Sequence, residues 1–264
     1  TTTYDQLSTL ASETTQLIGE IFFDLKDSQT SERYYNSALE IAQKGNDALS
    51  QALALGRKSF IAIYGDYPQQ ARHYIQEAYT QLQQRPSSIA SAWLAVREAE
   101  ACANMNDEIA CFDALERAKS HLDHEQVDAT LYAFAPGAVN AHLNHSILRG
   151  FQGVCYLRLH HLEKARILFE QDLHEIDVER SIHNAIVRTD LAAVYIQQQE
   201  IEEACHYADE AIEIMVQLRS PQVFQRILSL KEALDPWRKV QPVRLLSEKI
   251  VELTPHITGG GRIK

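Results

Sequence analysis

The run from Thr189 to Ile214, TDLAAVYIQQQEIEEACHYADEAIEI, decides how this chain is read. It spells two helices joined by a short polar turn. The first presents Leu191, Ala192 and Tyr195 on one face, and the second presents Ala204, Ala208 and Ala211. Small residues three and four apart lie on one side of a helix and let a neighbouring backbone approach closely. One such pair of helices is a common motif, so its recurrence is what carries weight.

The pattern recurs. Ile18-Gly19-x2-Phe22 with Tyr35 and Ala38 is one copy, and Ala71, Ile75 and Ala78 mark a second. Ala99-x2-Cys102 with Cys111, Leu115 and Ala118 makes a third. Gly153-x2-Tyr156 with Ala165 and Phe169 makes a fourth, in which Asp172 replaces the last Ala. The last positions (38, 78, 118, 172, 211) are separated by 40, 40, 54 and 39 residues. Five copies in one frame predict an array of helical hairpins in which each unit buries its face on the next. The long third step predicts an insertion.

The 264 residues carry 36 acidic against 25 basic side chains, a net charge of −11, which makes direct nucleic-acid binding by this region unfavourable. No apolar run reaches the roughly 20 residues that a membrane-spanning helix needs. Cys102, Cys111, Cys155 and Cys205 fall at helix-packing positions and form no C-x-x-C pair, as expected of reduced core thiols and a cytoplasmic home. Histidine pairs at His121/His124, His142/His145 and His160/His161 raise the question of metal. No His-Glu-x-x-His or other ligand spacing supports it, so no metal and no cofactor is expected. Phosphate-binding glycine loops and Gly-x-Ser-x-Gly elbows are also absent from the sequence, so an enzyme is not the expected reading.

In chain order, hairpins are expected at about 5–45, 48–84, 88–123, 147–177 and 181–218. Thr30 or Ser31, and Ser87 or Ser88, are the candidate caps of two of these helices. The first helix, with Leu7, Leu10, Leu17, Ile18, Ile21, Phe22 and Leu25, is expected to be covered on both sides. The insertion at 124–146 holds Tyr132 and Phe134 and is expected to lie over one face of the array as a lid. Helices between 220 and 253 would cap the last hairpin, and 254–264 would form a flexible tail.

The motif Leu-Ala-x2-Tyr followed by Ala-x3-Ala resembles the tetratricopeptide repeat. The expected fold is therefore all-α, a right-handed superhelical solenoid of about five degenerate tetratricopeptide hairpins plus C-terminal capping helices. Longer segments resemble the repeat region of bacterial XRE-type helix-turn-helix transcriptional regulators. They are TQLIGEIFFDLKDSQTSERYYNSALEIAQKGND, GFQGVCYLRLHHLEKARILFEQDL, the 189–214 run and LDPWRKVQPVRLLSEKI, and together they run from about Leu10 to Leu253. In that family a small DNA-binding head precedes the repeats, and the repeats sense a peptide, a small molecule or a partner protein. No head lies within these residues, so the resemblance implies no DNA binding for them. It also carries over no ligand-contact motif. The palindromic operators of such regulators would call for a homodimer, and the terminal repeats and last helix are the candidate surfaces.

The concave face, formed by the first helix of each hairpin, is the expected binding surface. Projection places Phe23, Arg57, Phe60, Tyr64, Trp93, Arg97, Asn104, Arg149, Arg158 and Arg188 on it, with Gln16, Glu20, Asp24, Glu100 and Asp190 beside them. Aromatic rings with several arginines suit an extended peptide or a carboxylate-bearing ligand. A plain protein–protein scaffold without ligand sensing is the alternative expectation, and a metal-dependent enzyme built on the histidines is the third.

Overall fold

A computed structural model describes residues 3–123, 145–175 and 181–258. Among the described residues every regular element is a helix. The helices are α1 (Thr3–Asp24), α2 (Ser28–Lys44), α3 (Ala48–Tyr64), α4 (Pro68–Leu82), α5 (Ser88–Asn104), α6 (Glu108–Asp123) and α7 (His145–Arg158). They continue as α8 (Leu162–Glu175), α9 (Ile182–Gln198), α10 (Ile201–Leu218) and α11 (Pro221–Ala233). A short 3-10 turn at Asp235–Trp237 precedes α12 (Gln241–Thr258). The fold is all-α, with helices packed in adjacent pairs in the manner of a solenoid-like repeat.

The repeat frame is written in the burial. Ala38, Ala78, Ala118, Asp172 and Ala211 are all fully buried. Three residues earlier, Tyr35, Ile75, Leu115, Phe169 and Ala208 are nearly as enclosed. Seven earlier, Ser31, Ala71, Cys111, Ala165 and Ala204 are buried too. These three positions form one stripe on the second helix of each hairpin, and its small members set how near the first helix can come.

The turns keep the same frame. Twelve residues before each stripe position, Lys26, Asp66, Asn106, His160 and Gln199 adopt positive φ between 57° and 64°. A single left-handed residue reverses the helix end and lets the following amide close back on the last turn. Thus the Asp27 amide donates to the Phe22 carbonyl at 2.9 Å, Tyr67 to Ala62 at 2.8 Å and Asp107 to Cys102 at 2.9 Å.

Two local expectations change. The cap of α2 is Asp27, whose carboxylate accepts from the Thr30 amide at 3.0 Å, and not Thr30 or Ser31. Asp27 sits one residue before the helix begins, where a side-chain oxygen can reach an orphan amide. Ser31 lies inside α2 and donates its hydroxyl to the Gly19 carbonyl at 2.7 Å. The second change concerns α1. Its inner side packs on α2 and α3, but Leu7, Leu10, Leu17, Ile21 and Leu25 remain exposed. At the other end, α12 continues past Leu253 to Thr258.

The chain divides into two compact units, Thr1–Leu159 and His160–Lys264, with the boundary at the turn residue His160. The core of the first unit gathers residues from Leu49 to Leu159, centred on α5, and includes Trp93, Leu94, Cys102, Cys111 and Cys155. Gly56 makes this packing work. A Cβ placed there would meet the Trp93 ring at 2.1 Å, so only glycine admits the indole against α3. In the second unit, α9 packs against α8, α10 and α11, and α12 covers α10. All four cysteines are free and buried. No helix among the described residues is long and apolar enough to cross a membrane.

Candidate functional site

The first unit gathers eight aromatic and charged side chains around α5. Phe23 at the end of α1 meets the edges of Phe60 and Tyr64 on α3, with ring centroids 5.8 and 5.7 Å apart. Phe60 and Tyr64 lie a turn apart and stack at 6.1 Å, and Trp93 on α5 tilts against Phe60 at 6.1 Å. Beneath this wall lies the Arg97 guanidinium. It is clamped between the faces of Phe60 and Phe151, 4.2 Å from each ring centroid.

Arg97 and Glu100 are both completely buried and approach to 2.6 Å. Glu100 also pairs with Arg158 at 3.3 Å, and the Arg158 guanidinium lies 5.4 Å from the Tyr64 ring centre. Burial pulls the Arg158 pKa down, but the Glu100 carboxylate, Tyr64 and Cys155 together outweigh it and hold the group above its ordinary value. Two guanidiniums thus share one carboxylate. The cluster carries one excess positive charge inside a chain of net charge −11.

Hydrogen bonding does not close this account. None of the three nitrogens of Arg97 has an aligned acceptor, nor does Nη1 of Arg158 or Nε1 of Trp93. Close contact with Glu100 supplies attraction but poor donor alignment. A buried polar group left without a hydrogen bond costs about 1–3 kcal/mol, more when charged. Both Glu100 oxygens are likewise without an aligned donor, so one shared carboxylate faces two guanidiniums, and an incoming anion would supply oxygens for the second.

Beside Tyr64 the surface opens, without reaching Arg97, Glu100 or Arg158. An open cleft of about 270 Å³ is lined by Phe23, Lys26, Lys58, Tyr64, Tyr67 and Tyr74, among others. Lys58 sits 4.4 Å from the centre of the Tyr74 ring. Tyr64 is about half exposed and borders both the cleft and Arg158, so the ring stands between the open surface and the buried arginines.

The residues singled out from sequence divide accordingly. Phe23, Phe60, Tyr64, Trp93, Arg97 and Arg158 come together, with Glu100. Arg57 lies elsewhere, at the contact of α3 with α1, where Nη1 pairs with Glu20 at 2.7 Å and Nε donates to Gln16 at 3.1 Å. Asn104 donates to the Ile63 carbonyl at 2.9 Å and so ties α5 to the end of α3. Arg149 is half-buried on α7. Arg188 belongs to the second unit, where it bonds Glu210 at 3.0 Å and Asn184. Tyr132, Phe134 and most of the expected insertion lie outside the described residues, as do His124 and His142. Among the described residues no three His, Cys, Asp or Glu side chains converge as a metal site would need.

Phe151 was not foreseen. Its signal is the seven-residue spacing to Arg158, which places both on one face of α7. Compared with known proteins, the chain matches no family model and no curated protein.

Proposed function

We propose that this chain is a non-enzymatic helical-repeat module that binds a carboxylate-bearing ligand, a peptide first among them, at the α3–α5–α7 cluster of its first unit. The observation that carries the reading is Arg97. It is a fully buried guanidinium, held rigid between two rings, with its donors unmatched. A ligand carboxylate would take up those donors and balance the excess charge, while Phe23, Phe60 and Tyr64 would receive an adjacent apolar group. The resemblance to repeat regions of helix-turn-helix regulators supports a sensing role in a cytoplasmic transcriptional regulator, with DNA contacts made by another part of such a protein.

The test is calorimetric titration of the protein with a panel of short acidic and apolar peptides, each with a free and an amidated C-terminus. At least one free-acid peptide is expected to bind at least tenfold more tightly than its amide, a difference of about 1.4 kcal/mol. Arg158→Gln should erase that preference. Arg158 is partly exposed and its removal should leave the fold intact. A preference unchanged in Arg158→Gln, with the circular dichroism spectrum also unchanged, sinks the assignment.

A further inference from the structure

We infer that α1 is a homodimerisation helix, pairing antiparallel with α1 of a second copy about a two-fold axis near Thr14. The first ground is the composition of its outer face. Thr3, Tyr4, Gln6, Leu7, Leu10, Ala11, Thr14, Leu17 and Ile21 are the exposed positions of α1, and none is charged. Its four charged residues, Asp5, Glu13, Glu20 and Asp24, are all partly buried at the flanks. Glu20 bonds Arg57, and Glu13 faces Asp47 and Arg85. A chain of net charge −11 has kept charge off one whole helix face. Charge depletion at the centre of a patch distinguishes interfaces from ordinary surface.

The second ground is the spacing. Leu7, Leu10, Thr14, Leu17 and Ile21 follow steps of 3, 4, 3 and 4, the seven-residue repeat of a helix-pairing seam. Tyr4 and Leu25 extend the seam at either end, and both are more than half exposed.

The third ground selects the occupant. The seam is symmetric about its middle, with Leu10 and Leu17 flanking Thr14 and Leu7 and Ile21 beyond them. Reversed, it presents the same sequence of shapes. An isologous two-fold contact requires that self-complementarity, since each copy must offer the patch it receives. Leu7 and Leu10 of one copy then lie against Ile21 and Leu17 of the other. Thr14, at the axis, donates its hydroxyl to the Leu10 carbonyl at 2.8 Å within its own helix, so it brings no unmatched donor into the contact. The exposed part of these side chains amounts to roughly 700 Å² per copy, near the ~800 Å² of a standard interface.

Sedimentation or light scattering of the full chain reads the result directly. The protein should have twice the 29.9 kDa mass of one chain at micromolar concentration. Leu17→Glu should weaken the dimer by about a hundredfold or more, since each dimer then buries two unpaired carboxylates, each against the Leu10 of the other copy. Leu17 is already exposed, so helix content and unfolding temperature should stay the same. Thr14→Cys should form a disulfide-linked dimer under mild oxidation, because facing Cα atoms at the crossing of two close helices fall within disulfide reach. A Glu203→Cys control on the second unit should not. A monomeric wild-type protein, a dimer indifferent to Leu17→Glu, or a Thr14→Cys dimer that fails to cross-link would each overturn the inference.

Discussion

Arg57 and Arg97 stand one 40-residue repeat apart, at the same place on the first helix of their hairpins, yet they end in opposite circumstances. Arg57 reaches back to the preceding first helix and finds Gln16 and Glu20. Arg97 reaches back in the same direction, and there the equivalent positions are Gly56 and Phe60. Glycine offers nothing to accept, and phenylalanine offers a ring face. One arginine is therefore a finished structural clamp, whereas the other is positioned and desolvated with only the Glu100 carboxylate, shared with Arg158, beside it. The difference between scaffold and site rests on two residues in the neighbouring helix, not on the arginine itself.

The largest effect expected from this comparison comes from Gly56. Gly56→Ala forces a methyl into the Trp93 ring, which is buried and has nowhere to shift. Urea denaturation should show a loss of about 3 kcal/mol. Arg57→Met comes next. It removes the clamp and leaves Gln16 buried and Glu20 partly buried without their partner, which should cost about 2 kcal/mol in the same assay. A loss below about 0.5 kcal/mol would mean that the clamp is not what holds α1 to α3. The smallest change sharpens the contrast instead. Phe60→Glu copies the Glu20 of the first repeat into the second and hands Arg97 a carboxylate besides the Glu100 it shares with Arg158. Affinity for free-acid peptides should fall about tenfold while the unfolding midpoint stays within a few degrees. Unaltered peptide affinity in Phe60→Glu would break the comparison, because it would show that Arg97 was never short of an acceptor.

The hairpin frame was legible because its determinants are local. Ala38, Ala78 and Ala118 are small wherever two backbones must come near, and the turn residues recur at fixed offsets from them. Most of the α3–α5–α7 cluster was legible too, since Phe60, Tyr64, Trp93 and Arg97 share helix faces that periodicity can assign. What periodicity cannot assign is the partner across a contact. The same projection placed Arg57 and Arg97 side by side as ligand contacts, because only the neighbouring helix distinguishes them. It also chose Arg149 on α7 and passed over Phe151, which lies two positions on and so more than half a circle round the helix. The outer face of α1 misled for a related reason. A leucine stripe reads as buried whatever it is buried against, and the first unit supplies cover for only one side of it.

The left-handed turns carry a practical consequence for anyone engineering this protein. Among the described residues seven with positive φ join its helices (Lys26, Asn46, Asp66, Asn106, His160, Gln199 and Arg219), and none of these is a glycine. Each holds a side chain in a conformation that costs an L-residue roughly 1 kcal/mol, less for asparagine and aspartate, and that glycine adopts freely. The molecule thus carries a distributed reserve of untapped robustness at its connectors. Glycine at Lys26, Gln199 and Arg219 is the first place to draw on it for a hardier variant.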